Sequence, residues 1–318
     1  MPDLQPSKIG IKLPAIEQPA PALGESSQLP GSARRSFQDV AGRRRILRGL
    51  GHVATYIVLI AGGVTMLIPF LWMVSTSFMT EAEVYSYPPR LLPETIRWEN
   101  YREALTILPF GRFFLNTILI TALSVLGQLV TCSMAAYAFA RLRFKGRDKL
   151  FALYLATMMI PAIVTLIPSF LIISAFGWVN TYWALFTPTL TSVWGIFLLR
   201  QFFLTLPRDY EDAARLDGAT DWDIYWRIIL PLSKPALATL SIFAFMATWK
   251  DFLWPLIVTN TNEMRPVEVG IAMFSSLYAT DWSYQMAAAV VVMLPIVIVF
   301  FFAQRYFIEG ITLSGIKG

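Results

Sequence analysis

Cysteine and histidine are almost absent from this chain of 318 residues, which holds one of each. The single cysteine, Cys132, cannot form a disulfide within the chain. With His52 as the one histidine, metal sites and catalytic triads that need several such residues are excluded. Charged residues are scarce as well, at 15% of the composition. These shortages exclude a disulfide scaffold and the sites that depend on several His or Cys residues.

Long stretches without any charged residue account for the low charge content. Asp, Glu, Lys and Arg are missing from residues 49–80, 113–140, 150–199 and 282–304. The hydrophobic fraction of 56% and the mean hydropathy of +0.55 are typical of a membrane protein with several spans. A spanning helix needs about 20 apolar residues, and the stretch 150–199 has room for two, with a polar break at 177–181. We therefore predict an all-α membrane protein with six transmembrane helices, near residues 52–79, 113–140, 150–173, 182–203, 236–259 and 284–306.

The distribution of Lys and Arg predicts the orientation of these spans. Of the 26 basic residues, 20 lie in residues 1–51, 141–149 and 200–234 and after residue 301. Only five lie in residues 80–112 and 260–283. Because cytoplasmic loops carry the excess of positive charge in membrane proteins, both termini and the 200–234 loop are predicted to be cytoplasmic. The pI near 9.3 follows from this bias and does not require nucleic-acid binding.

The N-terminal region differs in composition from the rest of the chain. Residues 1–48 are rich in Pro, Ser, Gly and Gln and end in a group of arginines, which predicts a disordered basic cytoplasmic tail. Residues 49–318 are predicted to form the transmembrane domain. Within it, residues 204–235 form a cytoplasmic loop between the fourth and fifth helices, and residues 308–318 form a C-terminal tail.

A charged segment, residues 209–235, interrupts the apolar sequence in that cytoplasmic loop. It fits two short helices, the first capped by Asp209 and ended by Gly218, because glycine tolerates the left-handed conformation at a helix C-terminus. Thr220 and Asp223 have the spacing of a capping box for the second helix. The second helix is predicted to have one apolar face, formed by Trp222, Tyr225, Trp226 and Ile229, and to stop at Pro231 and Pro235. Such a helix pair favours docking of a soluble partner, and the alternative is an amphipathic loop lying on the membrane surface.

The same segment resembles the coupling loop, or EAA loop, of binding-protein-dependent ABC importer permeases. That family pattern is Glu-Ala-Ala, three residues, Gly, nine residues, Ile, one residue and Leu-Pro. The pattern is filled in register by Asp212, Ala213, Ala214, Gly218, Ile228, Leu230 and Pro231. Asp212 stands where the family has glutamate, and Glu211 precedes it, so an acidic residue is kept at the start of the helix.

Other segments, from about residue 50 to the end, resemble the shorter, MalG-type permease of maltose-type sugar importers. They include AAYAFARLRFKGR at 135–147, WKDFLWPL at 249–256 and EGITLSGIKG at 309–318. The resemblance implies a permease subunit that passes a di- or oligosaccharide, of the trehalose or maltose type, across a bacterial cytoplasmic membrane. It also implies three partners: a second, longer MalF-type permease, an ATPase homodimer and an extracytoplasmic sugar-binding protein.

ATP is expected to be used by a partner and not by this chain. No phosphate-binding Gly-x-x-x-x-Gly-Lys-Ser/Thr loop occurs in the sequence. The resemblance implies that the chain is not an enzyme and binds no cofactor or metal, and that ATP and Mg²⁺ are used by the ATPase subunits. By the same resemblance, contacts with the ATPase are expected from Glu211, Asp212, Ala213, Ala214, Arg215, Asp217 and Gly218 in the loop, and from Ser314, Gly315 and Lys317 in the tail.

Two adjacent charged residues, Lys250 and Asp251, fall inside the fifth predicted helix. Charges within a span usually face the interior of the bundle or pair with another group. Aromatic faces suit the apolar C–H surfaces of sugars, so the neighbouring aromatic residues join them as candidates for the translocation path. The candidates are Trp249, Lys250, Asp251, Trp254 and Tyr284. Anchoring at the membrane interface is an equally open interpretation of these residues.

Three other functions are weighed against sugar import. A permease for another solute, such as glycerol phosphate or an amino acid, would have the same coupling loop. A membrane enzyme acting on lipid-linked substrates would need scattered carboxylates as catalysts, namely Glu81, Glu83, Asp251 and Asp281. A secondary transporter working alone would be expected to have inverted repeats and intramembrane ion sites, and the sequence has no clear sign of either.

Overall fold

The computed structural model of the chain describes residues 31–275 and 280–315. These residues are mostly helical, and their one β feature is an isolated bridge between Ser275 and Thr280. The all-α prediction is confirmed. The helices are α1 Gly31–Ser77, α2 Glu81–Val84, α3 Glu99–Ile107, α4 Phe110–Arg141, α5 Arg147–Ala156, α6 Ala162–Ala175, α7 Tyr182–Phe186, α8 Val193–Thr205, α9 Asp209–Leu216, α10 Asp221–Ile224, α11 Leu230–Leu232, α12 Lys234–Trp249, α13 Leu253–Val258, α14 Val267–Ala272 and α15 Trp282–Gly315. Two 3₁₀ turns, Thr157–Met159 and Thr187–Thr189, and a π-helical turn, Tyr225–Ile229, lie between them.

Contacts divide the chain into two units, residues 1–68 and residues 69–318. Helix α1 begins in the first unit at Gly31, so that residues 31–48 are helical. The prediction of a disordered tail over all of residues 1–48 is therefore wrong for this part. The segment is rich in Arg, which favours the helix. Residues 1–30 lie outside the described residues.

The membrane-spanning helices follow the predicted pattern when bent helices are counted as single spans. In the described part of the chain, four helices are long and apolar enough to cross a membrane: His52–Ser77, Phe110–Arg141, Tyr182–Thr205 and Trp282–Gln304. Two bent pairs, Arg147–Met159 with Ala162–Ala175 and Asp221–Leu232 with Lys234–Trp249, would raise the number to six.

The third predicted span, 150–173, is not one straight helix. Its two halves meet at an angle of 100°. Ile160, the residue before Pro161, is extended, with φ −82° and ψ 117°. A proline disfavours the helical conformation in the residue that precedes it, which explains why the bend lies at this point.

The fifth predicted span, 236–259, is also interrupted. Helix α12 ends at Trp249 and α13 begins at Leu253, so that Lys250 and Asp251 lie between two helices and not inside one. The Lys250 N–H still donates to the Met246 carbonyl at 3.3 Å, and the Asp251 N–H donates to that of Thr248 at 3.2 Å. The chain leaves the helix immediately afterwards.

Helix α4 is the common element of the packing in residues 69–318. Among the described side chains, a large apolar cluster joins the C-terminal half of α4 to α8 and to residues 224–229. A second cluster, around Phe110 and Phe113, joins the start of α4 to α3, α14 and α15. A third, smaller cluster joins Ile120 of α4 to α6, α7 and α13. Helix α4 therefore positions both the 209–232 loop and the region around residues 250–268.

Candidate functional site

The first helix of the 209–232 loop, α9, begins at Asp209, one residue earlier than a cap at Asp209 would require. The cap position is Arg208, and no side chain bonds to the backbone there. The prediction that Asp209 caps the helix is therefore wrong. Asp209, Glu211 and Asp212 instead occupy the first turn, where the partial positive charge of the helix N-terminus favours acidic side chains.

Gly218 ends α9, as predicted. Its φ is +86°, and a Cβ added there would meet nothing within 4 Å, so the backbone conformation alone requires glycine. The turn is a Schellman motif: the Ala219 N–H donates to the Ala214 carbonyl at 2.9 Å, and the Gly218 N–H donates to the Arg215 carbonyl at 3.1 Å. Across the turn, Arg215 and Asp221 form an ion pair of 2.5 Å that braces α9 against α10.

Thr220 caps the second helix, α10, as predicted. Its hydroxyl accepts a hydrogen bond from the Asp223 N–H at 3.2 Å, and the Asp223 carboxylate accepts one from the Thr220 N–H at 3.2 Å. These reciprocal bonds form the predicted capping box. Both ends of the connection between α9 and α10 are thus fixed by hydrogen bonds, between backbone groups at Gly218 and between backbone N–H groups and side chains at Thr220.

The helix does not stop at Pro231. Helix α10 continues through the π-helical turn Tyr225–Ile229 into α11, and the chain bends by 77° around Ser233. Pro231 lies in the first turn of α11, and Pro235 lies in the first turn of α12. A proline lacks the N–H that would continue the helical bonding, and the wider π turn lies directly before it.

The predicted apolar face of this second helix is split. Tyr225 and Ile229 are buried, and Ile224, which was not in the predicted set, is fully buried with them. Trp222 and Trp226 stay 56% and 49% exposed. The π turn departs from the period of 3.6 residues on which the prediction rested, so the sequence spacing misplaces the two tryptophans.

A buried ion pair joins α9 to the end of α4. The Arg141 Nε atom lies 3.0 Å from the Glu211 Oε1 atom, and the two side chains are 1% and 8% exposed. The two atoms are not aligned for a hydrogen bond. The Arg141 Nη2 group donates instead to the carbonyls of Phe203 and, at 2.8 Å, Leu206 at the end of α8. Burial raises the pKa of Glu211, and the guanidinium of Arg141 opposes that rise. Arg141 therefore connects three helices, α4, α8 and α9.

The predicted partner-contacting residues of α9 divide into an inner and an outer set. The side chain of Glu211 is buried within its own chain, which does not fit the predicted contact with a partner. Ala214 packs against the large apolar cluster. The outer, exposed set consists of Asp212, Ala213, Arg215, Asp217 and Gly218. Leu216, which the sequence pattern did not single out, lies among them with 90% of its side chain exposed.

The two tryptophans proposed for the translocation path hold helices together. Trp249 is 4% exposed, and its indole N–H donates to the Val292 carbonyl of α15 at 3.1 Å. Trp254 is half-buried and donates to the Ala184 carbonyl of α7 at 2.8 Å. Each indole satisfies a backbone carbonyl of a neighbouring helix, which is the usual arrangement for a buried tryptophan.

Lys250 and Asp251 are adjacent in sequence but line different cavities. Lys250 and Glu268 line a cavity of about 510 Å³. Asp251 lines a separate, much smaller one beside α4. Tyr284 is apart from both charges, and its hydroxyl donates to the Glu103 carboxylate at 2.5 Å. The structure thus places Lys250 and Glu268 in the lining of one cavity, and no sequence motif indicated Glu268.

The predicted tail contacts fall at the end of the described chain. Ser314 and Gly315 belong to the last turn of α15, where the side chains are outside the described part, and Lys317 lies outside the described residues. In residues 31–275 and 280–315, no group of three His, Cys, Asp or Glu side chains is arranged to hold a metal ion.

A known family matches most of the region described above. The family model for the "binding-protein-dependent transport system inner membrane component" matches residues 127–312. The matched region contains both helices of the 209–232 loop and the cavity residues Lys250 and Glu268.

Curated relatives are similar over most of their length. The chain is 36% identical over 253 residues to the arabinooligosaccharides transport system permease protein AraQ of Halalkalibacterium halodurans, covering 79% of this chain and 91% of that protein. It is 32% identical over 273 residues to the sn-glycerol-3-phosphate transport system permease protein UgpE of Rhizobium meliloti, covering 83% and 97%.

Solved structures share the fold. A chain of a bacterial ABC transporter involved in the import of the acidic polysaccharide alginate superposes with a TM-score of 0.72 at 26% identity, over 81% of this chain and 96% of that one. A chain from the bacterial alginate transporter in complex with an alginate pentasaccharide-bound periplasmic protein superposes with a TM-score of 0.59 at 18% identity, over 85% and 96%.

Proposed function

Because this chain belongs to the family of binding-protein-dependent transport system inner membrane components, we propose that it is the permease subunit of an ATP-driven sugar importer. The AraQ relative, named for transport of arabinooligosaccharides, supports a di- or oligosaccharide as the solute. The alginate importer that shares the fold is also named for a carbohydrate. The chain would itself form part of the path across the membrane.

The observation that carries this proposal is the braced helix pair of the 209–232 loop. Its turn is fixed by the Schellman motif at Gly218 and by the capping box of Thr220, and Arg141 ties it to α4 and α8. A loop with this many fixed contacts can move only together with the helices that hold it. Its outer set of exposed residues, with Leu216, would be the surface that docks on an ATPase.

The proposed assembly has four kinds of subunit. This chain pairs with a second, longer permease, and an ATPase homodimer binds ATP and Mg²⁺ in the cytoplasm. An extracytoplasmic binding protein delivers the sugar, in keeping with the family's description as binding-protein-dependent. The assembly resides in a bacterial cytoplasmic membrane, and the positive charge of the loops favours both termini on the cytoplasmic side.

The proposed mechanism is alternating access. Closure of the ATPase dimer on ATP moves the docked helices α9 and α10 inward. Through Arg141 this displacement reaches α4 and α8 without passing through a flexible segment. The permease pair then opens to the opposite side of the membrane, which is a rigid-body change of the kind that packed helices allow.

Glycerol phosphate is the second candidate solute. The UgpE relative of Rhizobium meliloti is named for sn-glycerol 3-phosphate and matches 97% of its length. The coupling surface would serve either solute equally well, so only the solute path separates the two functions.

Co-purification tests the proposal. The chain would be expressed with the products of adjacent genes, and the ATPase rate would be measured with the binding protein and a panel of maltose, trehalose, arabinotriose, glycerol 3-phosphate and an alginate oligosaccharide. We expect a stable complex whose ATPase is stimulated by one sugar. A chain that purifies alone and binds no ATPase would refute the proposal.

A further inference from the structure

A cavity of about 510 Å³ lies where α12 ends and α14 and α15 meet. Its walls are apolar for the most part and include Met246, Met293 and Phe300. Two charged side chains, Lys250 and Glu268, also line it. Charged side chains at an apolar surface are costly unless they have a function or a partner, so their presence requires an explanation.

Glu268 is aimed at the cavity by the packing of α14 on α4. The Val267 N–H donates to the Thr117 hydroxyl of α4 at 3.0 Å. Gly270 lies so close to Phe113 that an added Cβ would be 2.4 Å from its ring. Since Val267 and Gly270 are held against α4, the intervening Glu268 is left on the cavity side of this short helix.

Lys250 is aimed at the same cavity by the end of α12. Trp249 is buried, and its hydrogen bond to the Val292 carbonyl fixes the last helical residue against α15. Val292 itself lines the cavity. The following residue, Lys250, is exposed and enters the cavity just as the chain leaves the helix.

The cavity therefore holds one positive and one negative group. Burial raises the pKa of Glu268, and the ammonium group of Lys250 opposes that rise. With both groups ionised, the net charge of the cavity lining is zero. A bound anion would gain from Lys250 but would be repelled by Glu268 across a poorly screening apolar space.

We propose that this cavity is a solute subsite that accepts an uncharged sugar and disfavours anionic solutes. The inference rests on the proposed function and specifies its substrate class. The apolar walls suit the C–H faces of a sugar ring, and the ammonium and carboxylate groups suit its hydroxyls as donor and acceptor. Neutral sugars are thereby favoured over glycerol phosphate and over acidic oligosaccharides.

Cysteine accessibility tests whether the cavity is part of the solute path. In a Cys132→Ala background of the assembled importer, Met293→Cys would be compared with Leu294→Cys, because Met293 lines the cavity whereas its neighbour Leu294 does not. We expect a charged, membrane-impermeant thiol reagent to modify Met293→Cys faster, and the most stimulating sugar of the panel to slow that reaction. Equal rates at the two positions, or no protection by sugar, would overturn the inference.

Charge variants test the selectivity. Lys250→Gln and Glu268→Gln each leave one unbalanced charge, and each is expected to lower transport of the neutral sugar by about ten-fold or more. The double variant, which keeps two uncharged polar groups, is expected to recover most of the rate. Unchanged single variants, or a double variant as slow as the slower single one, would contradict the proposal.

The solute panel separates failure of this inference from failure of the proposed function. A wild-type importer stimulated chiefly by glycerol 3-phosphate or by the alginate oligosaccharide would overturn the neutral-sugar subsite and leave the importer function standing. A chain that assembles with no ATPase would refute the importer function itself.

Discussion

Arg141 contacts Glu211 at 3.0 Å in the interior of the protein, and the contact links the end of a membrane helix to the first helix of the 209–232 loop. Removing the two charges from water costs several kcal/mol per ion, and the attraction between them offsets about this amount. The pair is therefore better explained by the geometry that it imposes than by added stability. It holds α9 in one orientation relative to α4 and α8, as the proposed coupling role requires.

Removal of one partner of this ion pair is expected to be much more damaging than removal of both. Arg141→Ala or Glu211→Ala leaves a buried charge without its counterion, which typically costs about 3–5 kcal/mol. The double variant Arg141→Met with Glu211→Leu is expected to melt close to the wild-type temperature. Thermal unfolding of the purified importer in detergent measures this, and its sugar-stimulated ATPase reports whether coupling survives.

An exposed ion pair of the same loop provides the control. Arg227 and Asp223 lie 3.6 Å apart, and the Arg227 side chain is 81% exposed. Exposed pairs contribute little, so Arg227→Ala is expected to leave the melting temperature unchanged. If Arg141→Ala were as mild as Arg227→Ala, the proposed role of the buried pair would be wrong.

Substitution of Gly218 is expected to loosen the turn between α9 and α10. An L-residue in the left-handed region costs about 1–2 kcal/mol, and open space around Gly218 leaves this strain as the sole effect of Gly218→Ala. Trypsin cleavage after Arg215 is expected to accelerate about ten-fold, because cleavage follows the population of the opened turn.

Gly111→Ala is the matched control for that substitution. Gly111 also has open space where a Cβ would be added, but it lies in α4 with no positive φ. We expect no change in cleavage. An acceleration equal to that of Gly218→Ala would show that the turn conformation is not the cause.

Loss of the capping box is expected to shorten the second helix. Thr220→Ala removes the hydroxyl that accepts the Asp223 N–H, and loss of such a cap costs about 1 kcal/mol. Hydrogen exchange of the amides of Trp222 and Asp223 is expected to accelerate. Thr106→Ala serves for comparison, since the Thr106 hydroxyl bonds only within its own helix at 2.8 Å to the Arg102 carbonyl. Equal exchange in wild type and Thr220→Ala would refute the cap's contribution.

Leu216 is expected to contact the ATPase. An apolar side chain that is 90% exposed on a polar helix gains from burial against a partner, by about 1.5–3 kcal/mol when it is buried fully. Leu216→Asp should lower ATPase binding about ten-fold or more without changing the melting temperature of the isolated chain. Leu216→Met keeps the apolar contact and should bind normally. Wild-type affinity of Leu216→Asp would remove Leu216 from the docking surface.

Local features of the loop were predictable because they depend on residues near one another in sequence. Thr220 and Asp223 are three positions apart, and the left-handed turn at Gly218 is a property of a single residue. The orientation of Glu211 was not predictable in this way. Its partner Arg141 lies on another helix, and only the packing of α4, α8 and α9 brings the two together.

The breaks in the helices were likewise not predictable from the sequence. Charge-free stretches indicated where apolar helices run, but both the 100° bend before α6 and the interruption after Trp249 lie inside such predicted spans. The prolines predicted neither break, because a membrane helix can continue or bend at a proline, depending on the neighbouring helices.

The sequence by itself determined the all-α membrane architecture, the positions of most spans and the resemblance to importer permeases, since hydropathy, charge distribution and short motifs are properties of the chain alone. The tertiary structure decided which charges come together: Arg141 contacts Glu211 behind the exposed residues of α9, and Lys250 and Glu268 line one cavity. The physical reason is that these pairs join residues far apart in sequence. Their distances depend on how α4 packs against α8, α9 and α14, which no local pattern encodes.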